Sequence, residues 1–412
     1  MQQKIYPFDE HLLDFNKVDE HALYVVEKLQ KAGYVAYLVG GSVRDLLLQR
    51  KPKDYDISTS ATPEEIKRLF RNCILIGRRF RLAHIRFGHK ILEVSTFRSG
   101  DNTDDALIVR DNVWGSPEED VLRRDFTING LFYDPSTQTI IDYVGGYPDI
   151  QRKYLRTVGG PFVRFKQDPV RMIRLLKFQA RFGFEIDSDA RIALLDCRGE
   201  IIKSSSARIL EELLRMLESG ASRAFFKLMT EYGLLQLMMP TLADFMETPN
   251  GDDIYSYLAE VDTSLHEPHL PVLERPILLT CLIYSLLRKR IQDRYVERGR
   301  YPHLGEIQDE TYTLIDEIFR PFFHLPRRLR ISIVSIITTQ YRLTPVEKKK
   351  GRRPRIPNDP DFPSALKFLS IRCCLEPGLQ KIWEEWQEAA ASPERPPPVR
   401  RRRKRRKPPP KP

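Results

Sequence analysis

The sequence predicts an α/β head, then a long all-α region, then a disordered basic tail. Three observations carry that prediction. Up to about residue 160, short β-prone runs alternate with helix-start signals. From about residue 162 the apolar positions recur at three- and four-residue spacing. Residues 392–412 are dominated by Arg, Lys and Pro and cannot bury a core.

In the head, residues 34–39 (YVAYLV) read as a strand ending at Gly40-Gly41, with Ser42 opening a helix through residue 48. Residues 54–58 read as a second strand. Thr62-Pro63-Glu64-Glu65 and Ser116-Pro117-Glu118-Glu119 each combine an N-cap, a proline at the first helical position and an acid at the third. Residues 74–76 and 82–87 are strand-like, Gly88-His89 turns the chain into a strand over 90–97, and 139–143 is a further short strand. Further on, VRMIRLLKFQARFG, ARILEELLRMLESG and RAFFKLMTEYGLLQLMM carry helical periodicity, and a last helical region spans 364–391. The expected partition is a head over 1–160, a neck over 161–220, a body over 221–345, a basic loop with C-terminal helices over 346–391, and the tail over 392–412.

With 412 residues, 41% of them hydrophobic, the chain has material for two to four packed domains. Its net charge of +11 points to an anionic partner. Residues 393–412 carry +9 and residues 346–355 carry +5, which leaves the rest at −3. The basicity therefore sits in two segments near the C-terminus. Such segments suit RNA phosphates through sequence-independent, salt-sensitive contacts. A nuclear-localisation-like patch and a plain solubility tail are the alternatives.

The five cysteines, Cys73, Cys197, Cys281, Cys373 and Cys374, form no CxxC, which indicates reduced thiols and a cytoplasmic location. The first residues hold no apolar core of a signal peptide. No apolar run reaches about 18 residues, so no membrane span is expected. The richest run, PILLTCLIYSLL at 276–287, reads as a buried helix. His266-Glu267-Pro268-His269 sits at a Pro-rich break and reads as a loop without metal.

DYDIS, residues 54–58, places Asp54 and Asp56 one residue apart in a strand-like run, so both acids share a face. Two carboxylates held together suit a hard cation such as Mg²⁺, with phosphates and waters completing its octahedron. A surface strand with two solvated acids is the plainer reading. Upstream, LVGGSVRD (38–45) forms a strand–turn–helix. Its Gly40 and Gly41 allow close backbone approach, and the helix start with Arg44 favours an anion. An ordinary glycine turn capped from Ser42 to Asp45 is the alternative.

These elements stand in order with RRDFTING (123–130), DYVGGYPD (142–149), and DPVRMIR (168–174) followed by ARFGF (180–184). The series over roughly residues 35–185 resembles the class II tRNA nucleotidyltransferase and bacterial poly(A) polymerase family. The resemblance implies a nucleotidyltransferase head with a DNA-polymerase-β-like mixed sheet. It implies that Asp54 and Asp56 hold the catalytic metals, with two Mg²⁺ ions expected. It further implies that Gly40, Gly41 and Arg44 contact the triphosphate of ATP, and that Arg124 and Asp125 meet the nucleotide's sugar or phosphates. Asp125 is also the candidate for a further essential carboxylate. Glu93, in KILEVSTF, is its physical rival, on a strand that could lie beside Asp56, and it could equally be a solvated edge-strand acid.

Asp168, Arg171 and Arg174 fall at i, i+3 and i+6 and so would share a helix face. Adenine and cytosine both present an amino donor beside a ring-nitrogen acceptor. A carboxylate beside a guanidinium complements that order and rejects guanine and uracil. Asp168 could instead serve as an N-cap before Pro169. LIGRRFRLAHIRFG (75–88), with Arg78, Arg79, Arg81 and His84, resembles the stretch that separates bacterial poly(A) polymerases from CCA-adding relatives, which tend to carry a Gly-Thr-containing sequence there. A solvated basic hairpin is the alternative. Gln167 departs from the family's usual glutamate.

The expected reaction is template-independent transfer of AMP from ATP to single-stranded RNA 3′ ends, by a protein expected to act as a monomer. Arg401, Arg402, Arg403, Lys404, Arg405 and Arg406 are the expected RNA-binding core of the tail. A CCA-adding enzyme and an inactive RNA-binding adapter are the alternative readings.

Overall fold

The computed structural model describes residues 3–77, 82–99, 113–266, 272–346 and 356–391. Arg78, Arg79, Arg81, Glu267 to His269, the basic segment over 347–355 and the tail with Arg401 to Arg406 lie outside the described residues.

The head is a mixed eight-stranded sheet. Its strands are β1 (Lys4–Tyr6), β2 (Ala36–Val39), β3 (Asp56–Thr59), β4 (Cys73–Ile76), β5 (Leu82–Phe87), β6 (Lys90–Thr96), β9 (Leu131–Asp134) and β10 (Thr139–Asp142). They lie in the order β1-β10-β9-β2-β3-β6-β5-β4. Two short pairs stand apart, β7 (Arg98–Ser99) with β8 (Val113–Trp114) and β11 (Tyr154–Leu155) with β12 (Glu185–Ile186). Helices of the head are α1 (Phe8–His11), α2 (Glu20–Lys31), α3 (Gly41–Leu47), α4 (Pro63–Leu69), α5 (Pro117–Leu122) and α6 (Gly146–Arg152).

Within the large sheet β3 and β6 run parallel and the other neighbours antiparallel. A parallel neighbour needs a long connection, and α4 with the β4–β5 hairpin supplies it. α4 and α5 start as expected. Thr62 and Ser116 accept from the third helical N–H, and Glu65 and Glu119 return the bond.

One face of the sheet, with Leu38, Ile57, Ile85 and Val94, packs into the main core. The other carries a smaller cluster of Val39, Phe97, Val121, Phe132 and Ile141. The register Val39↔Asp56↔Glu93 sets both acids on this second face. Truncating Ile57, fully buried on the first face, to alanine would cost about 2–5 kcal/mol.

One expectation is corrected here. β3 begins at Asp56, so Asp54 lies outside it and the two-residue strand period does not align the pair. β2 ends opposite Asp56, at Val39, and the chain then turns away at Gly40. Asp54 therefore has no ladder partner there.

Beyond the head the chain is helical: α7 (Pro161–Gln167), α8 (Val170–Phe182), α9 (Ser188–Cys197) and α10 (Ser206–Leu217), then body helices including Arg275–Arg294 and Arg327–Leu343, and Phe362–Leu375 and Gln380–Ala391 near the end. The apolar run at 276–287 is buried inside Arg275–Arg294, as expected. Among the described residues, no helix is long and apolar enough to cross a membrane. One apolar cluster runs without a break from Leu13 to Ile371.

DYVGGYPD is a structural device. The carboxylate of Asp142, 2% exposed, accepts the N–H groups of Val144, Gly145, Gly146 and Tyr147 at 2.9, 2.8, 3.1 and 3.0 Å. Gly146 is required because a Cβ there would sit 2.1 Å from the Thr127 carbonyl oxygen. Replacing Asp142 by alanine strands these buried donors and should cost about 3 kcal/mol. Urea unfolding at pH 7 measures it, and a loss below about 1 kcal/mol would contradict the assignment.

Candidate active site

The motif elements meet at a cleft of about 490 Å³ between head and neck. Gly40, Gly41, Arg44, Asp56, Arg124, Asp125, Asp168, Arg171 and Arg174 all line it. Asp54 does not. Arg123, Asn129, Lys177, Phe178, Arg181, Arg208 and Arg215 complete the wall. Nine cationic side chains thus face three carboxylates, a balance suited to a polyanionic ligand. Two clefts of about 570 Å³ elsewhere gather no such charge.

Gly40 ends β2 at φ 73° and ψ −127°, a conformation that side chains avoid, and a Cβ there would meet Arg124 Nη1 at 3.1 Å. Ser42 forms no capping box; its hydroxyl donates to the Val39 carbonyl at 3.2 Å. Arg44 is 4% exposed and committed to protein partners. It donates to Asp45 Oδ1 at 2.9 and 2.7 Å and to Asn129 Oδ1 at 2.5 Å, and it lies 4.7 Å over the Phe182 ring.

Asp56 opens to the cleft, yet burial raises its carboxyl pKa to about 6, with Glu93 and then Asp54 adding to the rise and Arg124 opposing it. Among the described residues, neither the Asp54 nor the Asp56 carboxylate accepts a hydrogen bond or forms an ion pair. Crowded, uncompensated carboxylate oxygens fit a hard divalent cation. Among the described residues no group of three or more His, Cys, Asp or Glu side chains is placed to hold a metal ion. Glu93 is the acid in register beside Asp56, and His84 Nε2 stands 3.5 Å from its carboxylate.

Asp125 lies deeper. Its Oδ1 accepts from Asn129 Nδ2 at 3.0 Å and from the Phe126 N–H at 2.8 Å; its Oδ2 accepts from Arg174 Nε at 2.6 Å. Burial alone would raise its pKa, but Arg174, Asn129 and the Phe126 N–H hold it down to about 2. Arg124 donates to Asp120 at 2.9 Å and to the Ser58 hydroxyl at 3.4 Å.

The expectation of one shared helix face fails for Asp168. α8 starts at Val170, and Asp168 closes α7 at φ −146°, ψ 90°. Pro169 bars an extended helix through this point, since it has no N–H and restricts its predecessor. The carboxylate caps no N–H; it pairs with Arg208 of α10 through two bonds of 3.1 and 2.8 Å. Arg171 and Arg174 do share α8. Arg171 donates to the carbonyls of Arg164 and Arg123 at 3.1 and 3.4 Å, and Arg174 also reaches Glu212 at 3.4 Å. Gln167 is buried and accepts from Arg164 at 3.3 Å.

The sequence reading missed Lys177, Arg208 and Glu212. Lys177 donates to Glu212 at 2.7 Å. The available signal was the i, i+4 spacing of Arg208 and Glu212 on a strongly amphipathic helix.

Residues 36–156 match the family described as Poly A polymerase head domain, residues 183–246 the one described as Probable RNA and SrmB- binding site of polymerase A, and residues 315–412 Polymerase A arginine-rich C-terminus. The Poly(A) polymerase I of Escherichia coli is 36% identical over 94% of this chain and 87% of its own. The chain belongs to the poly(A) polymerase family. It is a nucleotidyltransferase. A CCA-adding enzyme of Staphylococcus epidermidis is 37% identical, over 52% of this chain and 54% of its own. Among solved structures, the Bacillus stearothermophilus CCA-adding enzyme in complex with CTP superposes with a TM-score of 0.60 at 26% identity, covering 89% of this chain and 82% of its own.

The Asp125–Arg174 pair makes a signed pH prediction. A carboxyl held at about 2 in the folded state, against about 3.9 unfolded, adds stability above pH 4 that is lost as pH falls towards 2. Asp125→Asn should cost about 3 kcal/mol at pH 7 by removing the nearer carboxylate partner of Arg174, which keeps only Glu212 at 3.4 Å, and the deficit should shrink between pH 4 and pH 2 in urea titrations. A deficit that stays constant over that range would contradict the assignment.

Proposed function

We propose that this protein adds adenylates to RNA 3′ ends without a template, transferring AMP from ATP and releasing pyrophosphate. The observation that carries the reading is one cation-rich cleft that joins Asp56 at the end of β3 to Asp168, Arg171 and Arg174 of the neck. The near full-length match to a poly(A) polymerase supports adenylate addition over CCA addition, whose relative aligns over about half of each chain.

Asp54 and Asp56 would hold two Mg²⁺, and Glu93, in register beside Asp56, is the better placed third acid. When bound, the ions make the attacking hydroxyl more acidic and neutralise charge on the triphosphate. Arg124, beside Gly40 and Gly41, meets the phosphates. Arg44 braces that turn from below, because Asp45 and Asn129 occupy its donors. Asp168 accepts the base's amino group while Arg171 donates to its ring nitrogen. Asp125 acts through Arg174, not on substrate. The basic segments at 346–355 and 393–412 hold RNA phosphates. The protein works as a cytoplasmic monomer with the head, neck, body and tail partition given above.

The test is extension of an oligo(A) primer, and of a tRNA lacking its 3′ end, each with ATP or CTP. Long A-tracts on the primer are expected; CCA confined to tRNA would overturn the reading in favour of a CCA-adding enzyme. RNA binding without any Mg²⁺-dependent turnover would favour an inactive adapter. Asp54→Ala and Asp56→Ala should each abolish incorporation without lowering the urea midpoint, and Asp56→Ala should raise it at pH 7 because its carboxyl pKa is raised to about 6. Normal AMP transfer by either variant would sink the metal assignment.

A further inference from the structure

The strand register sets a second surface beside the cleft. Ile74 of β4 pairs with His84 of β5, His84 with Glu93 of β6, and Glu93 with Asp56 of β3. Register partners share a face of the sheet, so all four side chains lie on the face of the acids. Neighbouring rows continue it: Ile76 pairs with Leu82, and Arg86 with Ile91. The opposite face of these strands is the buried one, with Cys73, Ala83, Ile85, Leu92 and Val94 in the main core. Ile74, Ile76 and Ile91 instead stand 46%, 46% and 44% exposed. Three isoleucines held open on one face leave apolar area in water, a cost that a partner would remove.

The position of this strip says which partner. Gly40 and Gly41 follow β2, on one side of β3. Glu93 belongs to β6, on the other side. The cleft is lined by the two glycines and by Asp56, but not by Glu93, His84 or the isoleucines. A triphosphate over the glycines therefore has Asp56 between itself and the strip. Phosphoryl-type transfer sets the attacking and leaving oxygens roughly in line. With pyrophosphate leaving over β2, the attacking hydroxyl arrives over β6, and the RNA that carries it runs out across β5 and β4.

We infer that the outer face of β4, β5 and β6 is the track on which the last nucleotides of the RNA lie. From Asp56 to Ile74 is three strand spacings, about 14 Å, room for about four stacked nucleotides at about 3.4 Å each. His84, whose Nε2 stands 3.5 Å from the Glu93 carboxylate, meets the terminal nucleotide. Ile74, Ile76 and Ile91 pack under the faces of the bases behind it. Arg86, exposed on the same face, meets a phosphate. Apolar contact reads no base edge, so the track accepts any sequence and leaves selection to the cleft. It also lets the strand slip back one nucleotide after each addition, which a base-specific grip would resist. The inference rests on the reading of the protein as an enzyme that elongates RNA.

The test uses the full chain with Ile74→Glu and Ile74→Phe. Ile5→Glu, at an exposed position of the far edge strand β1, is the control. In extension of an oligo(A) primer, Ile74→Glu should raise the KM for the primer about tenfold and Ile74→Phe should lower it about threefold, because an aromatic ring stacks on bases. Neither should change the ATP affinity read by calorimetry or shift the thermal midpoint by more than about 2 °C. Ile5→Glu should leave the primer KM where it is. A structural defect does not move one constant in opposite directions from one position, and a primer KM unchanged in both Ile74 variants overturns the inference. Cross-linking needs no turnover and so separates the inference from the proposed activity. The probe is a 3′-deoxy oligo(A) carrying 4-thiouridine near its end, bound to the parent. Cross-links within residues 74–91 support the track even where the parent fails to elongate RNA. Cross-links confined to the neck and body overturn it even where elongation is normal. A parent that sediments as a dimer and becomes a monomer in Ile74→Glu also overturns it, because the strip is then an interface between copies.

Discussion

The site depends on one ion pair, the buried Asp125 with the half-buried Arg174, which ties the head to the neck. Asp125 comes from the loop after α5 and Arg174 from the second turn of α8, and they meet at 2.6 Å. Each has a second commitment that extends the link. Asp125 accepts from Asn129, which in turn accepts from Arg44 at the start of α3. Arg174 reaches Glu212, which binds Lys177. A chain of donors and acceptors therefore runs from the glycine turn of the head to α10 of the neck. In a buried network a broken member leaves its neighbour uncompensated, so the members stand or fall together.

That network also explains how a cleft can hold nine cationic side chains without flying apart. Arg44, Arg124, Arg171, Arg174, Lys177 and Arg208 each donate to an acid or a carbonyl of the protein. Their charge still reaches into the cleft, where it offsets the cost of bringing a triphosphate and an RNA end together. Asp56 is the exception to this pairing among the cleft's acids. Its raised pKa records burial first and the nearby acids Glu93 and Asp54 second, a cost that a divalent cation would relieve.

Much of this was legible in the sequence, and the failures are instructive. The helix starts at Thr62 and Ser116 were readable because capping chemistry is local. The strand of Glu93 beside that of Asp56 was readable as a possibility, and the register settled it. Asp54 was misplaced because β3 begins only at Asp56, opposite the last residue of its neighbour β2, a tertiary fact that the two-residue period does not contain. Asp168 was read as a helical residue because its spacing to Arg171 and Arg174 fits, but Pro169 breaks that continuity. Arg208 lies 40 residues from its partner, and no periodicity brings the two together.

The central claim is that one cleft holds metal at the DxD motif and the adenine base at Asp168 and Arg171. Its most direct measurement is a crystal structure of the protein with Mn²⁺ and a non-hydrolysable ATP analogue. The account predicts anomalous peaks at the carboxylates of Asp54 and Asp56, with the adenine amino group against Asp168. Peaks away from both aspartates, or a base bound outside the cleft, would contradict it.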